Sequence, residues 1–249
     1  MRRHWKLISS IVVGLVVVLA AAGFLWLTDL VDPMPEAQAA MPSDERVSVA
    51  SDPWLTFTPA EATSTGLIFY PGGRVEPEAY APPLRTIAEA GYTTVVPSMP
   101  FGLAVLAPDT ADDIIEAHPE IERWVIGGHS LGGAMAAQYA DGQEVIDGLA
   151  LWGAYPPDGV DLSAAAIEAT SIYATEDGLT SLDEIEASRA QLPPDTAFVE
   201  IAGGNHAGFG WYGEQDGDGA ATISREEQQS QVVAATIELL ERVQAQPAS

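Results

Sequence analysis

Apolar runs of strand length alternate with stretches of helical period along most of the chain. Runs at 47–57, 66–70, 92–96, 124–126, 146–152, 171–174 and 197–201 predict strands. Between them, apolar positions three and four apart predict helices at 77–90, 111–117, 131–140, 182–191 and 225–243. Two of these open on the capping-box pattern, Ser181 with Glu184 and Ser224 with Glu227. Short apolar strands that alternate with helices imply an α/β fold, with a mostly parallel central sheet and helices on both faces. In such sheets chemistry gathers at the carboxyl ends of the strands.

One apolar run does not fit that alternation. Residues 7–27 carry no charge and are almost all apolar, and a helix of that length spans about 30 Å, the thickness of a hydrocarbon core. The pattern predicts a single N-terminal transmembrane helix, a signal anchor over 1–28, with Trp5 and Trp26 near its ends. Residues 29–45, rich in Pro, Ala and acid, read as a linker, and 46–249 as the α/β domain. Arg2, Arg3 and Lys6 precede the run, which places the domain outside the cell on a single-pass cell-membrane protein. The alternative is secretion after cleavage near Ala37-Gln38-Ala39.

Charge sharpens this division. The chain has 36 acidic and 10 basic residues, and with Arg2, Arg3 and Lys6 set aside the part from residue 29 onward carries a net −29 with no lysine. Such a surface repels a phosphate backbone, which excludes nucleic acid as a partner. It also repels itself at low salt, and the excess of carboxylates points to a halophilic setting. There is no cysteine, so disulfides, thiolate metal centres and a cysteine nucleophile are excluded.

The strongest chemical signal is Gly128-His129-Ser130-Leu131-Gly132, set between an apolar strand and an Ala-rich helix. That context is a strand–elbow–helix turn presenting a nucleophilic serine. A serine hydroxyl needs a base. His206, in a glycine-rich loop directly after the last strand, is the candidate. His118 lies in an acidic helix end and His129 inside the elbow, beside the strand. The acid that orients the base is Asp177, on the loop after 171–174, with its neighbour Glu176 as the alternative. Leu131 and a residue after the 66–70 strand, Gly73 or else Arg74, would give the two N–H groups of an oxyanion hole.

These motifs resemble the α/β-hydrolase superfamily, and within it the small dienelactone-hydrolase-like branch known as alpha/beta hydrolase fold-5. The resemblance covers about residues 47–243 and rests on LIFYPGGRVEPEAYAPPL, GGHSLGGAMAAQYA, SIYATEDGL and GGNHAGFGWYGEQDGDGAATISREEQ. It implies nucleophile, acid and base at Ser130, Asp177 and His206. Dienelactone hydrolases use cysteine where this chain has serine, so their substrate does not carry over.

The stretch between Trp152 and the strand before Asp177 is too short for a cap domain, which predicts an open site. Tyr155, Phe209, Trp211 and Tyr212 are candidates to line it or to pack beneath it. Asp216-Gly217-Asp218 resembles the start of a calcium loop, but Ala220 stands where a third ligand belongs, so no metal is expected. No phosphate loop or dinucleotide fingerprint occurs, and no cofactor is expected. The expectation is a carboxylesterase-like serine hydrolase acting on a small-molecule acyl substrate, of unassigned oligomeric state. Acyl transfer, peptide cleavage and a catalytically inactive binding module are the alternatives.

Overall fold

The protein is described by a computed structural model covering residues 30–246. A short helix, α1 (Pro35–Ala39), leads into a hairpin of β1 (Val47–Ala50) and β2 (Leu55–Pro59). Then follow β3 (Thr65–Tyr70), α2 (Ala81–Glu89), β4 (Thr93–Val96), α3 (Thr110–Ala117), β5 (Arg123–His129) and α4 (Leu131–Ala140). The chain closes with β6 (Ile146–Trp152), β7 (Glu168–Ala174), α5 (Leu182–Ser188), β8 (Ala197–Ile201) and α6 (Arg225–Gln244). The strands form one sheet in the order β1-β2-β4-β3-β5-β6-β7-β8. The first two pairings, β1 with β2 and β2 with β4, are antiparallel, and the other five are parallel.

All six residues of β3 are buried because both faces of the sheet are covered. Their side chains alternate between two cores. Leu67 and Phe69 pack under α2 and α6, with Leu84, Ile87, Leu239 and Leu240. Ile68 and Tyr70 pack under α3 and α4, with Ile114, Met135 and Ala136. Trp152 fills the first core, and its indole N–H donates to Thr236 Oγ1 at 3.1 Å, so its one polar group stays paired inside.

Several expected elements differ in detail. The run 47–57 is two strands, because residues 51–54 turn the chain so that Val47 comes opposite Pro59. The stretch 77–90 opens as a tight 3-10 turn, Pro77–Tyr80, before α2 begins. Ser181 and Glu184 form the full capping box, whereas at Ser224 only the side chain accepting from Glu227 N is made.

The expected linker does not run free. From residue 30 it lies along the domain: Val31 N–H donates to Arg74 O, Met34 N–H to Trp211 O, and Ala37 is fully buried. Arg85 holds the segment through Ala40 O, Pro42 O and the Asp44 carboxylate. Backbone groups and one guanidinium fasten it, so no apolar period announces the docking. The anchor expected over 1–28 lies outside the described residues; among those described, no helix is long and apolar enough to cross a membrane.

Candidate active site

The predicted residues stand just after the carboxyl ends of β3, β5, β7 and β8, at one end of the sheet. Ser130 is the junction between β5 and α4, with φ 53° and ψ −124°. A non-glycine residue there stores about 1–3 kcal/mol of strain, held only because the surroundings determine it. The surroundings are tight. A Cβ on Gly132 would lie 2.2 Å from Tyr70 O, and one on Gly128 would lie 2.5 Å from the Gly132 carbonyl carbon, so only glycine permits this turn. The N-terminus of α4 meets the serine and favours negative charge there.

His206 Nδ1 lies 2.8 Å from Asp177 Oδ2, and both side chains are 1% exposed. The other carboxylate oxygen, Asp177 Oδ1, accepts the N–H groups of Leu179 and Thr180 at 2.8 and 2.7 Å, which fixes the plane of the carboxylate. Glu176 is exposed, and its nearest side-chain partner is Thr175, so the carboxylate that meets the histidine belongs to Asp177. His206 Nε2 is buried and has no hydrogen-bond partner, so no bond joins it to Ser130 Oγ in this state.

After β3 the chain offers few free backbone donors. Pro71 has none, Gly72 N–H donates to Tyr80 OH at 3.0 Å, and Arg74 N–H donates to Gly102 O at 2.7 Å. Val75 N–H donates back to Gly72 O at 3.1 Å. That leaves Gly73 uncommitted among the described residues. A Cβ on Gly73 would lie 3.3 Å from Leu131 Cδ2, so this loop faces the first turn of α4, where Leu131 N–H is also uncommitted.

His129 is buried under the site rather than presented to it. Its ring stacks on Phe209 with centroids 5.4 Å apart and stands 4.4 Å from the His206 ring. Burial, reinforced by the neighbouring His206, holds its pKa well below the usual 6.5, so the ring is neutral. Tyr80 OH lies 2.9 Å from His129 Nδ1 while accepting from Gly72. Burial keeps the Tyr80 phenol protonated, and its proton then points at Nδ1. Phe209 and Tyr212 are likewise buried and pack by the His129 ring, Trp211 is turned to Gln229 Oε1, and Tyr155 bonds Glu184 at the surface. His118 pairs with exposed Glu120 away from the site.

The residue the sequence reading missed is Asp218. Its Oδ1 accepts from His206 N at 3.1 Å, Gly178 N at 3.1 Å and Gly219 N at 2.8 Å, and its Oδ2 accepts from Ala207 N at 2.8 Å. One carboxylate thus ties the loop of Asp177 to the loop of His206. The signal was the flanking glycines: a Cβ on Gly219 would lie 1.9 Å from Glu176 O, and one on Gly178 would lie 2.4 Å from Gly217 O. Behind the His206 loop, a cavity of about 450 Å³ is lined by Asn205, Ala207, Asp218 and Arg225, and the Arg225 guanidinium there binds the carbonyls of Ala207, Gly210 and Gly213. Between β6 and β7 there is no helix, so no cap covers the serine from that side.

Set beside known proteins, residues 66–230 match the model of an alpha/beta hydrolase family. No curated protein matches the chain by sequence. Among solved structures, the chain is similar to an esterase domain from Rhodothermus marinus, at 12% identity and TM-score 0.56, over 75% of this chain and 92% of that one. A Thermus thermophilus protein aligns at 15% identity and TM-score 0.58, over 81% of this chain and 100% of that one. An alpha/beta hydrolase enzyme from the sediment metagenome of the Mar Chica lagoon aligns at 14% identity and TM-score 0.53, over 66% and 90% of the two chains.

Proposed function

The chain belongs to the alpha/beta hydrolase family and has its fold, and we propose that it is a serine hydrolase that cleaves an ester through Ser130, His206 and Asp177. The observation that carries this reading is the buried Asp177–His206 pair, which stands at the same end of the sheet as the strained Ser130 elbow. Ser130 Oγ attacks the acyl carbon while His206 Nε2 takes its proton. Asp177 keeps the proton on Nδ1 and stabilises the imidazolium. The N–H groups of Gly73 and Leu131 receive the oxyanion, each worth roughly 3 kcal/mol of barrier. Collapse of the tetrahedral adduct expels the alcohol, which takes the proton from His206. Water then adds to the acyl-enzyme by the same route, releasing the acid and restoring Ser130. The bond between Ser130 and His206 forms as substrate closes the site, since such contacts are commonly loose without it.

The uncharged run 7–27 supports a retained membrane anchor with the domain outside the cell, and the −29 charge supports work in high salt. Turnover of a short nitrophenyl ester tests the chemistry. Ser130→Ala should reduce it to background, and activity surviving in that variant would remove the mechanism.

A further inference from the structure

Among the described residues, seven large apolar side chains are prominently exposed, and six of them, between 39% and 55% exposed, stand in or against the segments that follow β3, β4 and β7, at the end of the sheet where Ser130 lies. Val31 is bridged to Val75, just after β3. Phe101, Val105 and Leu106 follow β4, and Leu179 and Leu182 follow the Asp177 turn. The seventh, Val145, precedes β6 at the opposite edge. Singly scattered apolar side chains are ordinary, but six of seven gathered at one end of the sheet is the asymmetry an interaction face produces.

The path of the chain says what meets it. A Cβ on Gly102, next to Phe101, would lie 2.7 Å from Leu30 Cδ2, and Arg74 N–H donates to Gly102 O. Leu30 and Val31 are thus seated in the rim, beside the loop that carries Gly73. Only Thr28 and Asp29 separate Leu30 from the uncharged run 7–27, and the three steps from residue 27 to Leu30 reach about 11 Å at full extension. With that run in a bilayer, the rim cannot stand off from the lipid. From this we infer that the rim of the site docks on the lipid surface, its exposed apolar side chains entering the headgroup boundary, and that the substrate is an acyl ester drawn from the bilayer. The acidic domain favours an uncharged lipid surface over an anionic one. The inference rests on the hydrolase and anchor readings above.

Because the chain has no cysteine, a single introduced thiol reports one position. The full chain carrying Leu106→Cys is labelled with an environment-sensitive dye and reconstituted in phosphatidylcholine vesicles with nitroxide-bearing lipid. Val145→Cys is the control. At least twofold stronger quenching at position 106 than at 145 is expected. Equal weak quenching, or a chain that does not float with the vesicles, would overturn the docking. Quenching reads the rim whether or not any ester is cleaved, so loss of the hydrolase reading would show separately, as a lack of turnover on every ester. For the substrate, Leu106→Asp should slow cleavage of a long-chain nitrophenyl ester held in the same vesicles at least tenfold, while Val145→Asp should not. Equal rates for the two variants would contradict a bilayer-drawn substrate.

Discussion

Asp218 Oδ1 accepts the backbone N–H of His206 at 3.1 Å. Through its other bonds the same carboxylate also holds Gly178, next to Asp177, so the loops of His206 and Asp177 are set in register by a carboxylate that bonds neither of their side chains. Asp218→Asn keeps the shape but turns an amide donor on one of these N–H groups. We expect kcat to fall 10–100-fold with KM within threefold, and stability to drop by about 1–3 kcal/mol. Steady-state kinetics and urea unfolding check this; a KM effect alone would place Asp218 outside the positioning of the base.

Tyr80→Phe removes the hydroxyl that Gly72 N–H and His129 Nδ1 share. Two buried polar groups lose their partner, at about 1–3 kcal/mol for each left unsatisfied. The loop bearing Gly73 loses its tether, so kcat should fall about tenfold on this account of the oxyanion hole. His129 and Tyr80 exert this effect from beneath the site, and neither should be labelled by a serine-directed reagent.

The neutral, buried His129 gives stability a pH dependence of defined sign. Its pKa is depressed in the fold and near 6.5 when exposed, so below that pH the unfolded chain binds the extra proton. Its contribution is therefore fully present above about pH 6.5 and is lost as pH falls toward the folded value, with a slope of at most about 1.4 kcal/mol per pH unit. Urea unfolding of wild type and His129→Gln at pH 7 and 5.5 should show the wild type losing more. Equal losses would show that His129 does not carry the effect.

Salt should stabilise the chain. With 36 acidic and 10 basic residues, screening removes net repulsion, and raising sodium chloride from 0.1 to 2 M should lift the thermal midpoint by about 5 °C or more. A flat or falling midpoint would count against adaptation to high salt.

What could be read from the sequence follows from where the constraint lies. β6 shows its end because the apolar run Leu149 to Trp152 stops at Gly153, although Asp147 and Gly148 interrupt its start. The hairpin of β1 and β2 looks like one strand in the sequence because the extended pattern resumes at once after the turn. The elbow was legible because its glycines and its serine are adjacent, and the order Ser130, Asp177, His206 places each at the end of a strand. Asp218 was not, because it works through backbone N–H groups, and the glycines on either side of it are a mark that many turns share. Similarly, Gly73 could be separated from Arg74 only once Arg74 N–H was seen to be taken by Gly102.

Whether Ser130 is a nucleophile activated by His206 is decided by reaction with a fluorophosphonate, followed by intact-mass measurement and peptide mapping. One adduct is expected, on Ser130, absent in Ser130→Ala and formed at least 100-fold more slowly in His206→Ala, in line with general-base assistance of about 10²–10⁴. An unmodified wild-type chain, or an adduct that forms as fast without His206, would contradict it.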